Sequence, residues 1–224
     1  MVRSPASPNS SLSRKKLLPT LLHEKRLARQ HHGLVAGIDE AGRGPWAGPV
    51  VVAAVILDPR AIPEGLNDSK KLSEERREAL YGTILSQANV GIVLASPARI
   101  DAMNIRAATL WAMRGALCAL SQRPAAALFD GRDVPDGLPC PGEALIGGDA
   151  ASLSVAAASI VAKVTRDRLM VRLSEEFPGY GFSAHKGYGT PQHQDALARF
   201  GPCPHHRCSF APIRALLEAS GAPT

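Results

Sequence analysis

Long apolar runs are missing from this chain of 224 residues. The longest, Val50 to Leu57, has strand length and ends at Asp58 and Pro59, far short of the roughly 20 residues that cross a bilayer. No membrane residence is therefore expected. The N-terminus lacks a continuous apolar core followed by a small-residue cleavage site, which disfavours a secretory signal. Glu24 and the early prolines speak against an organelle transit peptide, leaving a disordered lead, a short helix after it, and the cytoplasm as the expected place. Cysteine is sparse, four in all, and without a secretion signal these read as thiols rather than a disulfide framework, with Cys118 and Cys140 structural. Cys203, His205, His206 and Cys208 offer enough soft ligands for zinc, but they would have to converge from six consecutive residues; structural zinc sites draw on two separated pairs. Internal repeats and heptads are also absent.

Acid is scarce at one end only. Residues 1–32 set seven Lys or Arg against Glu24 and hold all of the +6 net charge, so the remainder is formally neutral. The pI of about 9.4 thus says nothing about the body of the protein. A basic lead raises encounter rates with polyanions and loses that effect in salt, or is simply a solvated tail.

What is present is an alternation of strand and helix patterns. Leu34 to Ile38 and Pro49 to Leu57 read as strands joined by a glycine-rich loop, Val90 to Ala95 and Ala125 to Phe129 as further strands, and Ala144 to Ile146 as a short one. Helical spacing marks Ser73 to Gln87, with Ser73 as N-cap, a long helix over Ile100 to Leu120, and an Ala-rich one over Leu153 to Leu173. Asp133 to Gly142 is loop, and short helical patterns follow at Gln192 to Phe200 and Ala211 to Ala219. This is an α/β sheet protein. Its expected divisions are a basic, flexible segment over 1–32, a principal domain over 33–176 and a small appendage over 177–224.

Acidic residues stand where a carboxylate could leave a regular element: Asp39 and Glu40 in G-I-D-E-A-G-R-G, Asp130 in L-F-D-G, Asp167 in K-V-T-R-D-R. Carboxylates gathered in one cleft repel one another, and hard divalent cations such as Mg²⁺ or Mn²⁺ relieve that repulsion. Adjacent strand residues face opposite ways, so the chain is expected to turn between Asp39 and Glu40. Asp130 precedes Gly131 at the carboxyl end of a strand, where open α/β sheets place their sites. Asp167, four residues after Lys163 and flanked by Arg166 and Arg168, reads by itself as an ordinary ion pair. Gly42, Arg43 and Gly44 superficially resemble a dinucleotide fingerprint, but Pro45, Pro49 and the β-branched run deny the helix that motif must open; exposed amides there suit a phosphate or a close sugar instead. Lys186 and Tyr188 in H-K-G-Y-G-T join a cation to an aromatic ring, suited to phosphate contact and stacking. Lys70 offers another phosphate donor or a solvated surface charge.

Taken in order, G-I-D-E-A-G-R-G-P, L-N-D-S-K-K-L, F-D-G, G-G-D, A-A-A-S-I-V-A-K-V-T-R-D-R and Y-G-F-S-A-H-K-G-Y-G-T resemble bacterial ribonuclease HII over roughly residues 34 to 217. The resemblance implies a ribonuclease H-like fold, a mixed central sheet flanked by helices, making 33–176 the catalytic domain and 177–224 a small C-terminal helical extension that binds substrate. It implies two divalent cations, Mn²⁺ or Mg²⁺, on Asp39, Glu40, Asp130 and Asp167, raising Asp167 from ion pair to ligand. It assigns reading of the ribose 2′-hydroxyl to Gly42, Arg43 and Gly44, and packing beside that sugar to Tyr188. The substrates implied are RNA–DNA hybrids and DNA duplexes with an embedded ribonucleotide, with no obligate protein partner and a monomeric state. Ala150-Ala151 and Cys208 stand where the family commonly has basic residues, so weaker or more salt-sensitive phosphate binding is expected. The rival readings are another two-metal nuclease, such as a junction resolvase, and a nucleic-acid-binding module without catalysis.

Overall fold

A computed structural model of the chain describes residues 18–219. The expected disordered lead lies outside the described residues as far as residue 17, and so do residues 220–224. Strands β1 (Val35–Ala41), β2 (Val50–Ile56), β3 (Asn89–Ala95), β4 (Ala126–Asp130) and β5 (Gly142–Leu145) form one mixed sheet in the order β3-β2-β1-β4-β5. The pairs β1–β2 and β2–β3 are antiparallel, whereas β4 runs parallel to β1 and β5 parallel to β4. The helices are α1 (Leu22–His31), α2 (Glu74–Gln87), α3 (Pro97–Met103), α4 (Ile105–Cys118), α5 (Gly148–Ala151), α6 (Leu153–Glu176), α7 (Phe182–His185), α8 (Pro191–Phe200) and α9 (Ala211–Ala219). None of them is long and apolar enough to cross a membrane among the described residues.

The sequence of β2, V-V-V-A-A-V-I, is apolar throughout because helices cover both faces of the sheet. Val50, Val52 and Ala54 pack with Ile100, Ala112 and Leu117 of α3 and α4; Ala53 and Val55 pack with Leu80 and Ile84 of α2 and with Ala157 and Ile160 of α6. Each fully buried Val or Ile contributes about 1.5–3 kcal/mol. The small residues of α6 let it lie close on β1. At Gly37 a Cβ would stand 2.2 Å from the Ser154 carbonyl carbon, so only glycine permits the approach. Gly37→Ala is expected to cost about 3 kcal/mol through overpacking, read as a lower urea midpoint at unchanged slope; an unchanged midpoint would contradict the tight fit.

Three expectations need correction. The long helix over Ile100 to Leu120 is two helices. Asn104 stands between them at φ 66°, and its side chain accepts the Ala107 N–H at 3.0 Å to cap α4, a role asparagine fills well because it tolerates positive φ. The flexible basic segment does not extend through residue 32, because α1 is docked. Its Leu27 is buried against Val35, Leu128 and Val155, and Glu24 Oε1 accepts from Ser152 Oγ, Ser154 N and Ser154 Oγ at 2.6, 2.9 and 2.8 Å, capping α6 from outside. Cys118 is exposed rather than structural, while Cys140 is half-buried, its thiol pushed up chiefly by burial.

A carboxylate cleft and its glycine loop

Strand β1 does not turn between Asp39 and Glu40, contrary to expectation. Both stay in register with β2, opposite Ala53 and Val52, and therefore project to opposite faces. They still reach one cleft because it lies at the strand ends. Asp39 lines a cavity of about 250 Å³ with Lys70, Ser159, Lys163 and Tyr188, and the longer Glu40 lines both this cavity and an adjoining one, of about 150 Å³, that holds Asp130 and Arg106. Glu40 thus joins the two halves.

Asp39 is buried, and its carboxylate Oδ1 accepts the Glu40 N–H at 2.7 Å. Burial, and then the neighbouring charges of Glu40, Asp130 and Asp149, push its carboxyl well above the ordinary range. Burial also raises Glu40, with Asp130 adding and Arg43, 3.5 Å away, opposing. Asp130 Oδ1 accepts the Gly148 N–H at 2.7 Å, which fixes the start of α5 over the end of β4. Asp149, the next residue, is buried and raised by burial, Asp130 and Asp68. Lys70 stands on the rim, 3.7 Å from Asp149 Oδ2. Its ammonium is held above its usual value, against burial, by Asp149, Asp68, Asp39 and Asp130.

The structure therefore gathers Asp39, Glu40 and Asp130, and it adds Asp149. It does not add Asp167. On α6 the Asp167 carboxylate accepts from Lys163 Nζ at 2.8 Å, the i,i+4 ion pair its spacing permits. The signal for Asp149 was in the sequence: G-G-D follows an apolar strand as Asp130-Gly131 does. Among the described residues no three carboxylate, imidazole or thiolate side chains are already posed around one point as metal ligands. The donor set nevertheless fits hard cations: four mutually repelling carboxylates are only partly offset by Lys70 and Arg43, and a divalent ion supplies further positive charge.

The loop after β1 is held from behind by two buried guanidiniums. Arg207 donates to the carbonyls of Gly42 (2.6 Å), Arg43 (2.9 Å) and Gly48; Arg166 donates to those of Pro49, Ala47 and Lys186 at 3.0, 3.1 and 3.0 Å. Burial lowers Arg166 to about 10 and Arg207 to about 9, which leaves both charged at neutral pH. Gly42 lies at φ 95°, and a Cβ there would stand 1.9 Å from Arg166 Nε. Gly44 faces Tyr188, whose ring carbon Cε1 lies 3.6 Å from where a Gly44 Cβ would be, leaving the ring about half exposed beside bare backbone. Lys186 is not brought into this group, since its ammonium donates to the Ser183 carbonyl. Cys208 is exposed, its N–H on Asp101. Arg166 and Arg207 are the residues that sequence reasoning missed, because a guanidinium bonded only to carbonyls leaves no acidic partner in the pattern.

Comparison with known proteins bears on this cleft. The family model described as Ribonuclease HII matches residues 36–213. The curated Ribonuclease HII of Rhizobium etli is 58% identical over 198 residues, 88% of this chain and 86% of that protein. Among solved structures, the ribonuclease H2 of Pyrococcus horikoshii superposes with a TM-score of 0.73 at 29% identity, covering 83% of this chain and 98% of that one. The Archaeoglobus fulgidus RNase HII, solved as a complex with PCNA, gives 0.67 at 32% identity, covering 79% and 95%. The mixed sheet and its helices are thus the ribonuclease H-like arrangement.

Proposed function

The chain belongs to the ribonuclease HII family and is a hydrolytic endonuclease acting on RNA–DNA hybrids, and we propose that it also cuts on the 5′ side of a single ribonucleotide embedded in duplex DNA, leaving 3′-hydroxyl and 5′-phosphate ends. The observation that carries the reading is geometric: buried Asp39, its carboxyl raised by burial and then by Glu40, Asp130 and Asp149, lines the same cavity as Gly42 and Tyr188. A cation site and a sugar-reading surface share one cleft.

Asp39, Glu40, Asp130 and Asp149 would hold two divalent cations, Mn²⁺ or Mg²⁺, in the place the resemblance gave partly to Asp167. When bound, such ions activate water and neutralise charge on a departing oxygen. The carboxylates position and do not attack phosphorus. Lys70, already drawn toward Asp149, faces the phosphate that displaces it. Arg43, 3.5 Å from Glu40, contributes a second cation on the opposite wall. The backbone of Gly42 to Gly44, bare at Gly44 beside Tyr188, meets the 2′-hydroxyl. A polar site that is left unpaired when a hydroxyl is missing rejects the deoxy analogue strongly, and that is the discrimination required between RNA and DNA.

The test is a DNA duplex carrying one ribonucleotide, incubated with Mg²⁺ or Mn²⁺. Cleavage 5′ of the ribonucleotide is expected, and none in chelator, on the all-DNA duplex, or with Asp130→Asn. Cutting of the all-DNA duplex, or cutting without metal, would sink the reading.

A further inference from the structure

Behind the cleft lie three buried histidines that the chemistry above does not use. His185 on α7, His193 on α8 and His206 in the loop before α9 pack among Trp46, Tyr180 and Phe182. The rings of His185 and His193 are stacked, their centroids 4.5 Å apart, and His193 and His206 meet through their Nε2 atoms at 3.0 Å. Burial, then the neighbouring His193, brings His206 down to about 4, and burial lowers His193 as well, so both rings are neutral at physiological pH.

A neutral imidazole carries one N–H and one acceptor nitrogen, and the two ends of this pair dictate which is which. At one end the Cys203 N–H lies 2.9 Å from His206 Nδ1. An amide N–H only donates, so His206 Nδ1 accepts and its proton sits on Nε2. At the other end His193 Nδ1 lies 2.9 Å from the Tyr188 carbonyl oxygen. A carbonyl only accepts, so His193 carries its proton on Nδ1, and its Nε2 accepts from His206. His206 Nδ1 is also 3.2 Å from the Cys203 carbonyl, but donating there would reverse the chain and leave the Cys203 N–H and the Tyr188 carbonyl each facing its own kind. The hydrogen bonds run one way, from Cys203 through His206 and His193 to Tyr188. His185 braces the same segment: its Nδ1 accepts the Gly187 N–H at 3.1 Å, and its carbonyl accepts the Tyr188 N–H at 2.9 Å.

We propose that His206 and His193 are positioning residues for Tyr188: their one-way chain pins the Tyr188 main chain and so sets the angle at which the half-exposed ring meets the ribose. The proposal rests on the reading of Tyr188 as the sugar contact. The linkage joins the loop at residues 203–206 to the substrate surface without any charge in between, and a lost donor within it leaves a buried acceptor unmatched.

The test compares steady-state cleavage of the single-ribonucleotide duplex, with Mn²⁺, by the unsubstituted enzyme, His206→Asn, His206→Gln and Tyr188→Ala, each checked by its melting temperature. Asn keeps an acceptor for Cys203 and cannot reach His193, whereas Gln places an amide N–H near the Nε2 position. His206→Asn is expected to raise KM roughly tenfold, the worth of one buried hydrogen bond, with kcat within about twofold. His206→Gln is expected to return KM to within about threefold by restoring that bond, and Tyr188→Ala to raise it at least as far as His206→Asn. A raised KM in Tyr188→Ala beside an unchanged one in His206→Asn overturns the positioning role alone. An unchanged KM in Tyr188→Ala overturns the reading of Tyr188 and takes the proposal with it. Should His206→Asn melt far below the unsubstituted protein, long-range ¹H–¹⁵N NMR of the latter at pH 7 decides: protons on His206 Nε2 and His193 Nδ1 are expected, and the opposite tautomer in either ring overturns the chain.

Discussion

Asp39→Asn is expected to lower cleavage roughly a thousandfold, the kinetic equivalent of the several kcal/mol that bound cations contribute to charge stabilisation, and yet to make the metal-free protein more stable. Asp39 is buried, and burial together with Glu40, Asp130 and Asp149 holds its carboxyl well above the ordinary range. A carboxyl raised on folding contributes stability below its unfolded value and loses it as pH rises through the folded one. Above the folded value its charge therefore opposes the fold. Asparagine keeps an oxygen for the Glu40 N–H, now bonded at 2.7 Å, and removes the charge. A gain of about 1 kcal/mol, or about 3 °C in melting temperature for a chain of this size, should be seen in chelator at pH 8 and should shrink toward pH 4. Mn²⁺ should raise the melting temperature of the unsubstituted protein more than that of the variant. A variant less stable than the unsubstituted protein in chelator would contradict the account of the cleft.

The second large effect separates two aspartates. Asp149→Asn is expected to cost roughly a thousandfold in kcat/KM, on the same several kcal/mol of lost cation stabilisation, and to abolish calorimetric Mn²⁺ binding at one site. Asp167→Asn should stay within about threefold, since it removes only an i,i+4 pair with Lys163 worth a few tenths of a kcal/mol. Asp149 shares the electrostatic field of Asp39 and Asp130; the Asp167 carboxylate is bonded to Lys163. The reverse order of effects would restore Asp167 as a ligand and dismiss Asp149.

What could be read from residues alone follows from where the determining interaction lies. Strand β2 was legible because seven β-branched or small apolar residues in a row leave little else to form. Ser73 was legible as a cap because its hydroxyl acts three residues away, on the Arg76 N–H. Asn104 was not, since an asparagine amid helical spacing fits a turn of helix until the packing of α3 and α4 demands a bend there. The carboxylates divide in the same way. Asp39 and Asp130 sit at strand ends that local pattern reveals, while the choice between Asp149 and Asp167 depends on the Gly148 N–H seating α5 over Asp130, a contact across 18 residues. The two ends of the histidine chain and the two buried arginines were invisible for a related reason: their partners are backbone atoms, which every residue has.

The bond from Arg207 to the Gly42 carbonyl spans 165 positions of the chain, and this separation orders the protein's own synthesis. As the polypeptide leaves the ribosome from its N-terminus, β1 to β4 and most of α6 are available to pair long before the segment that secures the glycine loop has been made. The loop thus gains its Arg166 support as α6 is made and its Arg207 support only later, since closure over so long a span comes late. A nascent chain halted before residue 207 carries its carboxylates but lacks the Arg207 bonds that hold the Gly42 and Arg43 carbonyls beside them.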